Sequence, residues 1–281
     1  MKIINSPKKI QRYCNFLRIE GKTIGLVPTM GAFHEGHLSL MRQARLDNDV
    51  VVTSIFVNPT QFGPNEDYEA YPRDLKGDSE LASDVGVDII FAPTARDMYP
   101  KGYATFVNVE RITEKMCGAK RPGHFRGVTT VVSKLFNIVN PHNAYFGQKD
   151  AQQCAVLKRM TGDLNFDIEI IIMPTIREAD GLAMSSRNKY LDSEERQSAL
   201  VLTRSLALAR NLIENGETNA STIYQEMLSL INDEPLAKVD YISIVGSDDL
   251  EARENIKGSI LIALAVYIGK TRLIDNIIID V

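Results

Sequence analysis

The chain has 281 residues, 44% apolar and 24% charged, with a net charge of −4. That length fits one large or two smaller domains with a sizeable buried core. The slight acidity argues against a general nucleic-acid binder, and no apolar run approaches the ~20 residues that span a bilayer. The first residues, Met1-Lys2-Ile3-Ile4-Asn5, lack the apolar stretch of a signal peptide. Three widely spaced cysteines, Cys14, Cys117 and Cys154, follow no metal-binding pattern and read as reduced thiols of a cytoplasmic protein. Ser6-Pro7 predicts an N-cap followed by proline at the first helical position, with a helix to about Arg18 that Gly21 stops. Thr23 to Pro28 is a strand. Pro28 to His37 is a turn with small residues, and His37 to Asn48 is helical with one apolar side. Val50 to Val57 is β-branched and apolar, as in a strand buried on both faces of a parallel sheet.

A polar loop spans 58–67, and a helix runs from about Asp74 to Val85. Asp88 to Ala92 is a strand, 93–102 reads as irregular, and Thr105 to Val109 as a short strand. The basic loop Lys120 to Gly127 precedes a helix, Val128 to Val139. Strand Ala144–Phe146, turn Gly147–Asp150, helix Ala151–Thr161 and strand Ile168–Met173 follow. This alternation predicts an α/β fold, a doubly wound, Rossmann-like parallel sheet. After Arg177 the texture changes to a loop over 178–188, helices at 193–215 and 221–232, and strands at 239–245, 259–267 and 272–278. That order predicts a smaller C-terminal α+β domain. The boundary is expected near Pro174–Thr175, giving domains 1–175 and 176–281.

Loops that follow parallel strands are where such sheets build their sites. In His34-Glu35-Gly36-His37 the spacing puts both rings on one side of a helical segment. Metal ligation, a structural pair or anion contact all remain open on that spacing alone. No third ligand stands near enough in sequence to complete a zinc site, and Gly36 would let backbone approach a ligand closely, which favours an anion. Lys149 could reach a phosphate as a point charge. Ser185, Ser186 and Arg187, after Met184, could wrap phosphates. Gln61 and Gln153 carry primary amides that both donate and accept, as a small polar substrate requires. Hydrolase, P-loop and dinucleotide signatures are absent.

Four strings occur in order: PTMGAFHEGHL from Pro28, FVNPTQF from Phe56, FGQKD from Phe146 and READGLAMSSRN from Arg177. Together they resemble the pantothenate synthetase (pantoate–β-alanine ligase) family, within the superfamily that shares an H-x-G-H signature with class I aminoacyl-tRNA synthetases. The resemblance implies a two-step ATP-dependent reaction. The carboxylate of (R)-pantoate attacks the α-phosphorus of ATP, and β-alanine then displaces AMP from the pantoyl adenylate. It implies ATP contacts at Met30, Gly31, Ala32, Phe33, His34, Glu35, Gly36, His37, Gly147, Gln148, Lys149, Asp150, Ile176, Met184, Ser185, Ser186 and Arg187. It also implies that Gln61 and Gln153 bind substrate, and that His34, His37, Lys149, Ser185, Ser186 and Arg187 are catalytic, with His37 in the place often labelled proton donor. Since adenylation of a carboxylate has no obligatory proton to donate, both histidines read instead as transition-state stabilisers. Mg²⁺ on the phosphates, no resident metal site, a homodimer and no nucleic-acid or membrane partner complete the expectation. The rival reading is another H-x-G-H nucleotidyltransferase acting on a phosphorylated small molecule. Two departures stand out: Gln148 replaces the family's usual Glu, and Ala151 its usual aromatic residue.

Overall fold

A computed structural model of the chain describes residues 1–64 and 66–281. Asn65, inside the loop expected over 58–67, lies outside the described residues. The chain packs as two compact units. One comprises Met1–Glu110, Arg121–Gly147 and Val156–Pro174, and the other Arg111–Lys120, Gln148–Ala155 and Thr175–Val281.

The first unit opens with β1 (Lys2–Ile4) and α1 (Pro7–Ile19), where Ser6 caps the helix and Pro7 starts it. Then come β2 (Ile24–Thr29), α2 (Glu35–Asp47) and β3 (Val50–Ile55). After these come α3 (Leu75–Asp84), capped by Asp74, then β4 (Ile89–Phe91) and the short α4 (Ala95–Met98). The second unit contributes α5 (Met116–Lys120) before α6 (His124–Val139) and β5 (Asn143–Gly147) return to the first. The division falls within α7 (Ala151–Asp163), and β6 (Glu169–Met173) completes the first unit's sheet. Its six strands run in the order β1-β4-β3-β2-β5-β6, all pairs parallel. Connections leave β2 toward β3 on one side, and β5 joins on the other. This reversal is a switch point, and crevices form there at the carboxyl ends of the strands. A core of Val27, Leu40, Met41, Val51, Ile90 and Tyr145 ties α2 to the sheet.

The second unit carries α8 (Ser193–Ala199), α9 (Val201–Glu214) and α10 (Ala220–Asn232). Its sheet is antiparallel: β7 (Ala237–Gly246), β8 (Ser259–Ile268) and β9 (Thr271–Asp280), in that order. The apolar run of β8 is buried almost end to end, and Ile260, Ile262 and Leu264 pack with Leu202, Leu206 and Ile223 of the helices. The expected α/β sheet and the smaller α+β unit are thus both present.

Several local expectations change. Thr105–Val109 is not a strand. At its centre helix hydroxyls take the backbone of Val107 instead: Val107 N–H donates to Thr130 Oγ1 and Val107 O accepts from Thr129 Oγ1. The irregular stretch 93–102 contains α4, closed by a capping box between Thr94 and Asp97. Helix 193–215 is interrupted at Leu200, with no glycine or proline to announce the break. Helix α6 starts at His124, so it takes up half of the expected basic loop.

Candidate active site

Strand β2 delivers the chain to a tight loop. Gly31 and Ala32 both adopt left-handed backbone, with φ of 87° and 54°. The turn is held from outside by Asp78 on α3, which is 4% exposed. Its carboxylate accepts from Ala32 N–H at 2.9 Å and Phe33 N–H at 2.7 Å. A Cβ on Gly31 would press on Asp78 Oδ2 and Ile55 Cγ2, so glycine is required there for space as well as for φ. Thr29 Oγ1 donates to Ser54 O at 2.6 Å and accepts from Gly31 N–H at 3.2 Å. The strand end and the loop are thereby locked together.

His34 is the N-cap of α2. Its Nδ1 accepts from Gly36 N–H at 3.2 Å. An accepting Nδ1 leaves the proton of the neutral ring on Nε2, which is then a donor. His37 lies one turn on, its ring centroid 4.1 Å from that of His34 and 5.6 Å from that of Phe33. The expected common side of the two rings is therefore present. Both sit half-buried at the start of a 13-residue helix, where the macrodipole favours an anion. The Glu35 side chain turns to Arg42, whose hydrogen bond holds its carboxyl below the usual value. Glu35 can thus offer an anion its backbone and not its charge.

Gln61 ends a 3-10 turn, Pro59–Gln61, that Asn58 caps. Asn58 is 1% exposed and fully used. Its Oδ1 accepts from Thr60 and Tyr99, and its Nδ2 donates to Gln61 Oε1 at 3.0 Å and Gly127 O at 3.1 Å. Burial pushes the Tyr99 phenol up to about 12, so it stays a donor to Asn58. The Gln61 Nε2 donates to Met30 Sδ at 3.4 Å. This contact joins the glutamine to the histidine loop.

The basic loop acquires a role here. His124 Nδ1 donates to Gln61 O at 2.8 Å, Arg121 Nη2 donates to the same oxygen at 3.3 Å, and Arg121 also pairs with Glu66. Burial opposes ionisation of Glu66, but the Arg121 hydrogen bond and charge outweigh it, and its carboxyl sits below the usual value. Gly127 lets α6 press against this turn, since a Cβ there would collide with the Thr60 carbonyl and Gln61 N.

In the second unit, Gln148–Asp150 form a 3-10 turn, with Lys149 Nζ 3.7 Å from Asp150 Oδ2. Gln153 is half-buried. Its neighbour Gln152 is buried and ties α7 to Ile112 O, Lys115 O and Cys117 N. The loop after Ile176 is cross-braced. Met184 N–H donates to Ile176 O at 2.9 Å, and Asn188 donates to Glu178 and Ala183 O. Arg196 pairs with Glu178 and Asp180. Ser185 caps a 3-10 turn by accepting from Arg187 N–H, and Ser186 is 7% exposed.

The residues that sequence reasoning passed over are Asp78, Asn58, Tyr99, His124 and the strand pair Asp275-Asn276. Asn58 before Pro59 is a legible cap signal, and two polar residues in the apolar run of β9 are a legible anomaly. Asp78, 46 residues from the loop it holds, carries no local signal.

A sequence model described as Pantoate-beta-alanine ligase matches residues 2–278. The chain is 59% identical over 281 residues to a pantothenate synthetase of Moorella thermoacetica, covering 100% of this chain and 99% of that one. It is 60% identical over 281 residues to one of Heliobacterium modesticaldum, covering 100% of both. A crystal structure of the Thermus thermophilus pantothenate synthetase superposes with a TM-score of 0.94 at 43% identity, covering 99% of each chain. One from Francisella tularensis, complexed with beta-gamma ATP and beta-alanine, gives 0.80 at 38% identity over 99% of this chain and 97% of that one.

Proposed function

This chain belongs to the pantoate–β-alanine ligase family, and from that premise we propose how its residues divide the reaction. It is an enzyme, a ligase that joins pantoate to β-alanine through a new C–N bond, and ATP is a substrate. In the proposed first step a pantoate carboxylate oxygen attacks the α-phosphorus of ATP. The bond to the β-phosphate breaks and pyrophosphate leaves. In the second, the β-alanine nitrogen attacks the acyl carbon, the bond to AMP breaks, and the amine gives up a proton. Adenylation of a carboxylate has no obligatory proton to donate. His34 Nε2–H, His37 and the backbone of Met30 to Gly36 therefore act by stabilising phosphate charge from fixed positions. Lys149, Ser185, Ser186 and Arg187 neutralise or hydrogen-bond the phosphates. Gly147, Gln148, Asp150, Ile176 and Met184 contact the nucleotide, and Gln61 and Gln153 hold pantoate.

The observation that carries this reading is the Gln61–Met30 hydrogen bond. An amide suited to a small hydroxy acid touches the loop that ends in the two histidines. Mg²⁺ would arrive with the nucleotide as part of the substrate, since phosphate oxygens and water are ligands it prefers. Among the described residues no three His, Cys, Asp or Glu side chains gather as ligands for an ion. A homodimer and a cytoplasmic location belong to the same proposal. The three cysteines are unbridged, and no helix among the described residues is long and apolar enough to cross a membrane.

The test is ATP–pyrophosphate exchange without β-alanine. Exchange that requires pantoate supports the adenylate. Its absence, with turnover of a phosphomonoester instead, overturns the assignment.

A further inference from the structure

Strand β9 reads Leu273-Ile274-Asp275-Asn276-Ile277-Ile278, an apolar run interrupted by two adjacent polar residues. They are 2% and 4% exposed. Polar groups at that depth are costly unless their hydrogen bonds are made. Both are made, and to segments already implicated in ATP chemistry. Asn276 Nδ2 donates to Gln148 O at 3.0 Å and Lys149 O at 2.9 Å, and its Oδ1 accepts from Gln148 Nε2 at 3.0 Å. The whole amide is thus committed to one 3-10 turn. Asp275 accepts both guanidinium bonds of Arg177, at 2.7 and 3.0 Å, and its Oδ1 also accepts from Asn276 N–H. Arg177 in turn donates to Gly181 O at 3.1 Å within the loop that runs on to Ser185–Arg187. Successive side chains on a strand point to opposite faces, so one dipeptide can hold two separate segments.

We propose that Asn276 and Asp275 are positioning residues for adenylation. Asn276 sets the backbone from which Lys149 projects, and Asp275 anchors the start of the serine–arginine loop. The inference rests on the reading that Lys149 and that loop act on ATP. The Lys149 end is the sharper one. Asn276 donates to main-chain oxygens, which no substitution at 148 or 149 can replace, and an Asp at 276 is isosteric but turns both donors into acceptors.

The experiment uses the full chain and pantoate-dependent ATP–pyrophosphate exchange, with KM for ATP and the melting temperature measured alongside. Lys149→Ala, Asn276→Ala, Asn276→Asp and the double variant Lys149→Ala/Asn276→Ala are compared. Asn276→Ala is expected to lose 10- to 100-fold in kcat with less than a 5-fold change in KM for ATP, and Asn276→Asp at least as much. Asn276→Ser, which keeps one donor, should fall between wild type and alanine, and it serves if the alanine variant does not fold. In the Lys149→Ala background, removing Asn276 should cost less than 3-fold more, because the group it positions is already gone. Losses that multiply across the double variant overturn the positioning role, as does an Asn276→Asp enzyme of wild-type kcat. Lys149→Ala turning over like wild type is a different result. It sinks the assignment of Lys149 itself.

Discussion

The histidine loop, residues 30–37, and the serine–arginine loop, residues 177–188, are both proposed to meet phosphate, yet they are built differently. The first is a short bridge between a buried strand and a long helix, pinned by backbone hydrogen bonds to one carboxylate, Asp78. What it offers an anion is mostly main chain and helix dipole, which need no reorganisation. The second has one isolated bridge, Arg177 to Ala183, and is held by side chains: Arg177 to Asp275, Arg196 to Glu178 and Asp180, Asn188 to Glu178. Its Arg196 pairs are partly exposed, unlike buried Asp275, so this part of the loop is more sensitive to salt and to single substitutions of long side chains. One loop takes its shape from buried main-chain contacts to a single carboxylate, and the other from a main-chain bridge, Glu178 N–H to Leu182 O and Met184 N–H to Ile176 O, reinforced by ion pairs.

The hardest blow to the first loop is Asp78→Ala. It strands two buried N–H groups, at about 1–3 kcal/mol each. A melting temperature lower by several degrees and at least a 100-fold loss of kcat/KM are expected. A stable, active Asp78→Ala enzyme would show that the loop holds its shape without the carboxylate. Next comes His37→Ala, with adenylation reduced at least tenfold while ATP binding, followed by calorimetry, largely persists. Turnover near wild type would remove His37 from the mechanism. His124→Ala should raise KM for pantoate about 3- to 10-fold with a smaller effect on kcat, because it loosens the Gln61 carbonyl and not the phosphate donors.

For the second loop the effect expected is smaller and of another kind. Arg196→Ala breaks two ion pairs whose side chains are 23–32% exposed. Such pairs contribute about 0.2–1 kcal/mol apiece. A two- to fourfold rise in KM for ATP follows, shrinking as salt is added, since salt weakens the same pairs in wild type. An equal effect at low and high salt would mean that packing, and not charge, shapes this loop.

What the sequence made legible follows the same division. The strand-to-helix crossover at residues 28–37 was readable because periodicity, small residues and a helix start are all local signals. So was the buried run of β8. The supports were not readable. Asp78, His124 and Asn276 reach partners 46, 63 and 127 residues away, and no local pattern encodes such a pairing. β1 is three residues long, too short for a period. Thr105–Val109 has the composition of a strand, but the hydroxyls of Thr129 and Thr130 compete for its backbone, and only the tertiary structure reveals that competition. The break at Leu200 has no breaker residue.

The far end of β2 gives the mildest test, and it asks whether the first region yields as one piece. His142 Nδ1 accepts from Ile24 N–H at 2.9 Å, at the start of the strand whose other end carries the histidine loop. Burial, then the nearby Arg18 charge, lowers its pKa from the ordinary 6.5. A protonated Nδ1 could not accept that bond. Because the folded state disfavours the proton, the stabilisation is fully present above pH 6.5. It is lost progressively as pH falls from there through the lower folded value. The carboxylates with lowered values, such as Glu66 and Glu178, begin to lose theirs only below about 4.5, so the window between 6.5 and 5 is largely free of them. Wild-type melting temperature should therefore decline across that window. In His142→Gln, which keeps an acceptor and cannot titrate, the decline should be shallower. If activity and melting temperature fall together in wild type and both flatten in the variant, strand and loop yield as a unit. If melting alone responds, the Asp78 clamp isolates the loop from the strand that delivers it.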